Sequence, residues 1–456
     1  LCKQKKQVAK VSYFFQISTF KLIQYTFNKM KKVVIVDGCR IPFQKSGTGY
    51  KDLLAYQLAQ MAIKGLLTKT DIKANLIDSV VLGCVIQNLS TSNVAREAAL
   101  TAGLSDKTPC HTVTMACVSA NKAITDAYAQ IALGYADIVI AGGTDTVSDI
   151  PIQFPREMRS KLIESQKLKS FGDYLGFATR IRPTDFKPEV PAIAEFTTGK
   201  TMGQDCDRLA DRFGVTRREQ DVFALRSHKL ADLAQREGWL NQEVISAEAP
   251  PKFVPITTDN GVRGDSTIEK MSSLSSAFTR PDGTATAGNS SFLTDGAAVV
   301  LLMSEEKALA LGYKPKAYIK DFAFTAQSPL TDLLLGPAYA TPRVLEKTGL
   351  KLSDIGVLEF HEAFAGQVLA NLNCLNSDTF AREQLGWANK VGEIDMDCLN
   401  LWGGSLSIGH PFGATGARLV TTAANRLIAE NQQFALLASC AAGGHGHAMI
   451  LERYNN

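Results

Sequence analysis

The chain of 456 residues carries 49 Lys and Arg against 45 Asp and Glu, a net charge of +4, with 45% apolar and 21% charged residues. Those proportions fit an ordinary soluble globular protein with enough length for two or three domains' worth of core. So small a net charge gives no argument for nucleic acid, and no apolar run approaches the roughly 20 residues of a membrane span. The nine cysteines stand singly, without a CxxC pair or a Cys/His cluster at zinc spacing. That usage points to a reducing compartment and to thiols, with no disulfide framework and no metal.

Residues 1–29 hold several Lys and no Asp, Glu or Arg. Met30 then opens MKKVVIVDGCRIPF, a basic start running into a buried strand. The upstream residues read either as a gene-model artefact, with translation starting at Met30, or as a mitochondrial targeting segment. In both cases they lie outside the fold. From Val33 to Asp37 a β-branched run predicts a central strand. Tyr56–Leu67 has helical apolar spacing, Ile77–Val85 reads as a strand, and Ala-rich Val94–Ala102 as a helix. His111–Met115 follows, then a helix over Val118–Leu133 with Ala120, Ala123, Ile124, Ala127 and Ile131 on one face. Gly134 is its stop signal. Asp137–Ala141 is a buried strand ending in Gly142 and Gly143.

Between residues 150 and 285 the pattern changes. Strand signals are poor, charges are interspersed, and LADRFGVTRREQDVFALRSHKLADLAQREGWL reads as two helices. Arg156–Arg182 holds seven Lys or Arg against three acids, with Met158, Leu162, Ile163, Leu168, Phe171, Leu175 and Phe177 among them. This stretch reads as one amphipathic helix, packed either on its own core or on an interface. Ala287–Met303 then returns to core-like sequence. Ile355–Phe360 is strand-like and runs into HEAFAGQVLANL, which is helical. Gly413–Glu430 is a helix, and Phe434–Ser439 and Met449–Leu451 are strands. Each half thus contains a loop residue, a helix, a buried strand and a Gly pair. Cys117 and His410 occupy equivalent places in this weak internal repeat. Alternating strands and helices predict mainly parallel sheets with helices on their faces.

Several motifs carry little. AEFTTGKT has Ala194 where the first Gly of a phosphate loop must stand. HEAF lacks the second His of a zinc helix, and His445 and His447 have no further ligand at metal spacing. His228 reads as part of a solvated helix face. A thiolate, by contrast, is the natural partner for a thioester, because thiol exchange conserves the high-energy bond. Cys117 stands at a helix start, where N–H groups and the helix dipole favour an anion. It needs a base, and His410, set among Gly residues ahead of a helix, is the best placed of six His. Cys440 ends an apolar strand and runs into Gly443 and Gly444. Two sulfurs and an imidazole suit carbon–carbon bond cleavage or formation on a thioester.

TMACVSANKA, GNSSFLTDGAA, HEAFAGQ, GGSLSIGHPFGATGARL and CAAGGHGHA, in this order, resemble the thiolase family over Lys32–Arg453. SNVAREAAL, SDKTPCHTVTMAC, ALRSHKLA and LLLGPAYATP resemble the branch that serves as β subunit of trifunctional fatty-acid oxidation complexes, and its bacterial counterparts. The resemblance implies an α/β fold of two duplicated βαβαβαββ halves forming a five-layered αβαβα core with an inserted helical loop domain. The division it implies is 30–149, an insertion over 150–285, a return over 286–303, and a second half over 304–456. It further implies a 3-ketoacyl-CoA thiolase, an acetyl-CoA C-acyltransferase of fatty-acid β-oxidation that uses coenzyme A as co-substrate and no cofactor. Cys117 would be the nucleophile, His410 its base and Cys440 the second acid/base. His361, where many thiolases carry Asn, would hold a water beside His410 in one oxyanion site. The backbone N–H groups of Cys117 and Ala442 would form the other, and Ser291 would touch the pantetheine arm. Implied partners are a second copy of the chain, or a hydratase/dehydrogenase α subunit in an α2β2-type complex, with a peripheral membrane contact. The compartment would be the bacterial cytoplasm or, alternatively, the mitochondrion. Two other readings stay open: a biosynthetic acetyl-CoA acetyltransferase and a non-catalytic scaffold of the same fold. A condensing ketoacyl synthase would lack Cys440.

Overall fold

The computed structural model describes residues 30–190 and 194–455; both readings of residues 1–29 lie outside the described residues. The first half opens with β1 (Val33–Arg40), α1 (Ala55–Thr70) and β2 (Ser79–Gly83). It continues with α2 (Val94–Thr101), β3 (Cys110–Val113), α3 (Ser119–Ala132) and β4 (Ile138–Asp145). After a long excursion it is completed by β5 (Thr294–Ser304). The second half repeats this order with β6 (Ala317–Ala326), a helix over Gly336–Thr348, β7 (Val357–Phe360) and a helix over Ala365–Leu375. The helix Thr415–Ala429, β8 (Phe434–Ala441) and β9 (His445–Arg453) close it. Where β3 pairs with β2 in the first half, the second has only an isolated parallel bridge, Leu358 to Leu399.

The strands run in the order β7-β8-β9-β6-β1-β5-β4-β2-β3. The expectation of mainly parallel sheets fails. Only β2/β3, β2/β4 and β7/β8 are parallel, whereas β4/β5, β5/β1, β1/β6, β6/β9 and β9/β8 are antiparallel. The last strand of each half returns antiparallel beside its predecessor, so parallel pairing is confined to the outer strands. The two halves join where β1 meets β6 over Val34–Tyr318 and Ile35–Ala317.

The strands of each half form one wing of this continuous sheet, the first sheet and the second sheet, and both faces of each wing are covered. Val34, Val36, Leu58, Ile63, Ala98 and Leu301 pack α1 and α2 on the outer face of the first sheet. Ala340, Val344, Val368, Leu436 and Ile450 pack the equivalent helices on the outside of the second. Between the sheets lie α3 and the helix Thr415–Ala429, with Ala123, Ile124, Ala127, Leu419, Val420 and Ala423 in one cluster with Val139, Val300 and Leu437. A helix buried on every side is expected in such a central layer. Burial of this apolar middle layer, at about 25 cal/mol per Å² removed from water, favours bringing the halves together. The layers therefore read α, β, α, β, α.

The excursion between β4 and β5 is mainly helical. Arg156–Arg182 is not one helix but two, α4 (Arg156–Ser165) and α5 (Phe171–Arg180), divided by a turn. Ser170 caps α5 by accepting from the Asp173 N–H at 3.2 Å, which ends any continuation from α4. Met202–Arg212 and Arg217–Arg236 form the next two helices, each opened by a Thr cap and a Gln or Glu three residues on. His228 departs from its predicted solvated face. It is buried, and its Nδ1 accepts from the Arg263 N–H at 3.2 Å.

Candidate active site

Cys117 stands in the loop between β3 and α3. Ala116 just before it takes a left-handed φ of +45°, uncommon for a residue with a side chain. The Met115 N–H donates to Ser119 Oγ at 2.8 Å, and that hydroxyl donates to Ala116 O at 2.7 Å. This cinch turns Cys117 out ahead of the helix. Burial pushes its thiol up to about 11, against the backbone N–H groups of Ala442 and of Cys117 itself, with the nearby Asp145 charge adding to the rise. The sequence-based expectation that the helix start favours an anion is therefore reversed. The helix begins two residues later, and two N–H groups do not outweigh enclosure of the sulfur.

His410 comes from the other half, on the loop before the central helix Thr415–Ala429. Its N–H donates to Thr294 Oγ1 at 3.1 Å and its backbone bridges to Leu293, both at the start of β5. The loop then crosses the end of β4. A Cβ on Gly143 would lie 1.9 Å from Gly413 O, so only glycine allows these two backbones to touch. The buried Asp145 carboxylate clamps the same seam, accepting from the N–H groups of Gly413, Val85 and Ile86. The His410 tautomer follows from its partner. Thr415 Oγ1 donates its one proton to Pro411 O at 2.9 Å, so it accepts from His410 Nδ1–H at 2.6 Å. Nε2 is thus bare, has no protein partner, and is free to take a proton. Burial, then the Arg418 charge, lowers this imidazole to about 3, so it rests neutral.

Cys440 lies near the end of β8, buried. Burial raises its thiol far above the usual range, and the neighbouring Cys117 adds to the rise. Cys117, His410, Cys440, Ala442 and Ser291 all line one cavity of about 440 Å³, whose remaining wall is largely apolar. Met202 and Phe278 from the excursion and Phe364 from the second half supply that wall, with Phe278 edge-on to Phe364 at 5.8 Å. The turn after Cys440 is pinned by Glu195, which accepts from the Gly443 N–H at 2.7 Å. His361 lies behind this wall, fully buried, with its ring centroid 4.1 Å from that of His410. Burial holds it well below the ordinary histidine value, and His410, when protonated, and Arg418 act in the same sense.

The remaining motif residues take structural places. Helix does not begin until Ala365, so His361–Phe364 lie outside it and His361 can turn towards His410. Glu362 accepts from Ser227 Oγ and Asn400 Nδ2, both at 2.7 Å, and a Cβ on Gly404 would strike its carboxylate at 2.1 Å. Thr201, closing the phosphate-loop look-alike, caps the helix Met202–Arg212. Among the described residues no group of three His, Cys, Asp or Glu could hold a metal, and all eight described cysteines are free. Sequence reading missed Thr415, Ser405, Arg418, Asp145 and Glu195. Thr415 alone had a local signal, five residues beyond His410 in a Gly-rich helix start.

The profile described as Thiolase, N-terminal domain matches residues 33–306, and that of Thiolase, C-terminal domain matches residues 313–453. "Trifunctional enzyme subunit beta, mitochondrial" of Mus musculus is 54% identical over 425 residues, 93% of this chain and 89% of that protein. "3-ketoacyl-CoA thiolase" of Yersinia pestis is 44% identical over 92% of this chain and 97% of its own length. The crystal structure of the Bacillus anthracis acetyl-CoA acetyltransferase superposes with a TM-score of 0.80 at 31% identity, over 94% of this chain and all of that one.

Proposed function

The chain belongs to the thiolase family, and on that premise we propose that it cleaves 3-ketoacyl-CoA with free CoA to acetyl-CoA and a shortened acyl-CoA, as a step of fatty-acid β-oxidation. The observation that carries this is the convergence of Cys117, His410 and Cys440, drawn from both halves, on one apolar cavity. An acetyl-CoA acetyltransferase uses the same groups in reverse. The curated relatives named for 3-ketoacyl-CoA cleavage and for the trifunctional enzyme favour the degradative direction.

Cys117 attacks the 3-keto carbon while the bare Nε2 of His410 takes its proton. Both groups rest neutral, so proton transfer accompanies attack. The N–H groups of Ala442 and Cys117 already approach the sulfur, which suits them to an oxyanion on the attacked carbon. The protonated His410, with a water held by the neighbouring His361, would stabilise the enolate oxygen that develops as the carbon–carbon bond breaks. Cys440, a neutral thiol, gives its proton to the enolate carbon and releases acetyl-CoA. Incoming CoA returns a proton to Cys440, and its thiolate takes the acyl group from Cys117. Ser291 would meet the pantetheine arm. This chemistry fills every proton and nucleophile role with side chains and CoA, so it calls for no cofactor or metal.

We take residues 150–285 as the inserted loop domain that walls the cavity. A homodimer is supported by the outer strand β3, which has no neighbour on its far side among the described residues. The α4–α5 hairpin is proposed as the membrane or α-subunit contact, because Phe171, Tyr174 and Leu175 form an exposed apolar face beside Lys167 and Lys169. No helix among the described residues is long and apolar enough to cross a membrane. The named relatives are mitochondrial and bacterial, and either compartment suits this reading. Assay of the purified protein against 3-ketoacyl-CoAs of increasing length, with free CoA, tests the proposal. Cleavage of longer chains supports it; turnover confined to acetoacetyl-CoA would favour the acetyltransferase, and none at all the scaffold.

A further inference from the structure

The role of His361, like that of His410, depends on which ring nitrogen carries its proton. Its Nε2 is buried and has no protein partner. Its Nδ1 lies 3.0 Å from Ser405 Oγ. A second buried group reaches the same hydroxyl: Arg418 Nη2 donates to Ser405 Oγ at 3.1 Å. Arg418 can only donate, so it occupies a lone pair of that oxygen and cannot receive its proton. Arg418 is itself fixed, with Nη1 3.3 Å from Glu359 Oε2, and Arg426 Nη1 2.7 Å from the other carboxylate oxygen. All of Glu359, Arg418 and Ser405 are fully buried. Among the described residues no other acceptor is within reach of the Ser405 proton. The only lone pair that can take it is His361 Nδ1.

We propose that Ser405, oriented by Arg418, is the positioning residue that makes His361 a hydrogen-bond donor at Nε2. The two adjacent histidines, their rings tilted at 45°, are then opposite tautomers. His410 receives nothing at Nδ1, donates there to Thr415 and keeps Nε2 bare as the base. His361 accepts at Nδ1 and presents Nε2–H. With two bare Nε2 atoms side by side the site would have two bases and, until His410 is protonated, no donor in this corner. With the serine in place it has one base and one donor before the reaction begins. An Asn at position 361 would carry its donor NH₂ without help, so the role of Ser405 exists only while position 361 is a histidine.

The inference rests on the thiolase reading for its kinetic consequence but not for the tautomer itself. Ser405→Ala removes one buried hydrogen bond, of a kind worth about tenfold to a hundredfold when its partner is left without it. The variant is expected to lose that factor in kcat, with KM changed less than threefold. In a His361→Asn background the same Ser405→Ala change should cost less than about twofold. Equal loss in both backgrounds, or none in either, overturns the proposal. Nitrogen-15 spectra of the histidine-labelled protein give the second readout without substrate. The wild type should show the His361 proton on Nε2, and Ser405→Ala should lose that preference while the His410 signals stay in place. A wild-type protein with His361 protonated at Nδ1 contradicts the inference even if the enzyme is active. An inactive wild type with the Nε2–H signal contradicts the thiolase reading alone.

Discussion

Replacing Gly143 by Ala tests how the two halves are held at the distance catalysis needs. The added Cβ would stand 1.9 Å from Gly413 O and 2.6 Å from Gly83 O, both backbone atoms that no rotamer can clear. Ordinary contact begins at 3.4 Å, so β4 and the His410 loop must separate by about 1.5 Å, the difference between 3.4 and 1.9. Gly413 is only three residues past His410 and is tied to Asp145, so the imidazole moves with it. A misplacement of about 1 Å costs on the order of 10²-fold in rate. Overpacking of this kind also costs about 1–3 kcal/mol of stability. The expected result is at least a hundredfold loss of kcat for 3-ketoacyl-CoA cleavage in a protein that still unfolds cooperatively in urea at a lower midpoint. Gly176→Ala on α5, where nothing lies within 4 Å, is the control and should be silent. A folded Gly143→Ala enzyme within threefold of wild type would refute the claim that this seam sets the Cys117–His410 geometry.

Cys440→Ala should still be acylated by a preformed acyl-CoA but lose about 10²–10⁴-fold in carbon–carbon cleavage, as for a missing general acid; equal loss in both assays would remove its acid/base role. Acid stability carries the mark of buried neutral imidazoles. His410 and His447 are lowered to about 3 and His228 to about 4, chiefly by burial, while the unfolded chain titrates near 6.5. Their folded values are depressed, so their contribution is complete above 6.5 and is lost as pH falls towards 4 for His228 and towards 3 for His410 and His447, at about 1.4 kcal/mol per pH unit for each. Urea midpoints that do not fall between pH 7 and pH 5 would contradict this. Lys167→Glu with Lys169→Glu should weaken binding to anionic vesicles or to an α subunit, measured by co-sedimentation, and leave turnover of short substrates intact. Lys161 is left out of that pair because its Nζ is bound to Asp185 Oδ2 at 2.5 Å and to Arg180 O at 2.7 Å. Unchanged association would return the hairpin to a plain surface feature.

The residues that do the chemistry were legible because their surroundings are unusual in type. Cys117, His410 and Cys440 each break an apolar or Gly-rich run, and backbone proximity to substrate demands such composition. Their supports were not legible. Ser405, Thr415 and Arg418 are ordinary residues in helix turns, and their meaning appears only when the hydroxyl protons are counted in three dimensions. Strand direction was misjudged because a strand buried on both faces, such as β5, has the same composition whichever way its neighbour runs. The strand β9 was found only in part, since Gly446 and two histidines at its start hide the apolar pattern of its end. The break between α4 and α5 was missed because apolar spacing continued across it, while the Ser170 cap that ends it is a local polar event.

Cys117 is the covalent centre of this mechanism, and the most direct test of that role is mass spectrometry of the protein mixed with a 3-ketoacyl-CoA in the absence of free CoA. The predicted result is the shortened acyl group on the peptide containing Cys117, released on adding CoA and absent from Cys117→Ala. An acyl group carried on Cys440 instead, or cleavage without any adduct, would contradict it.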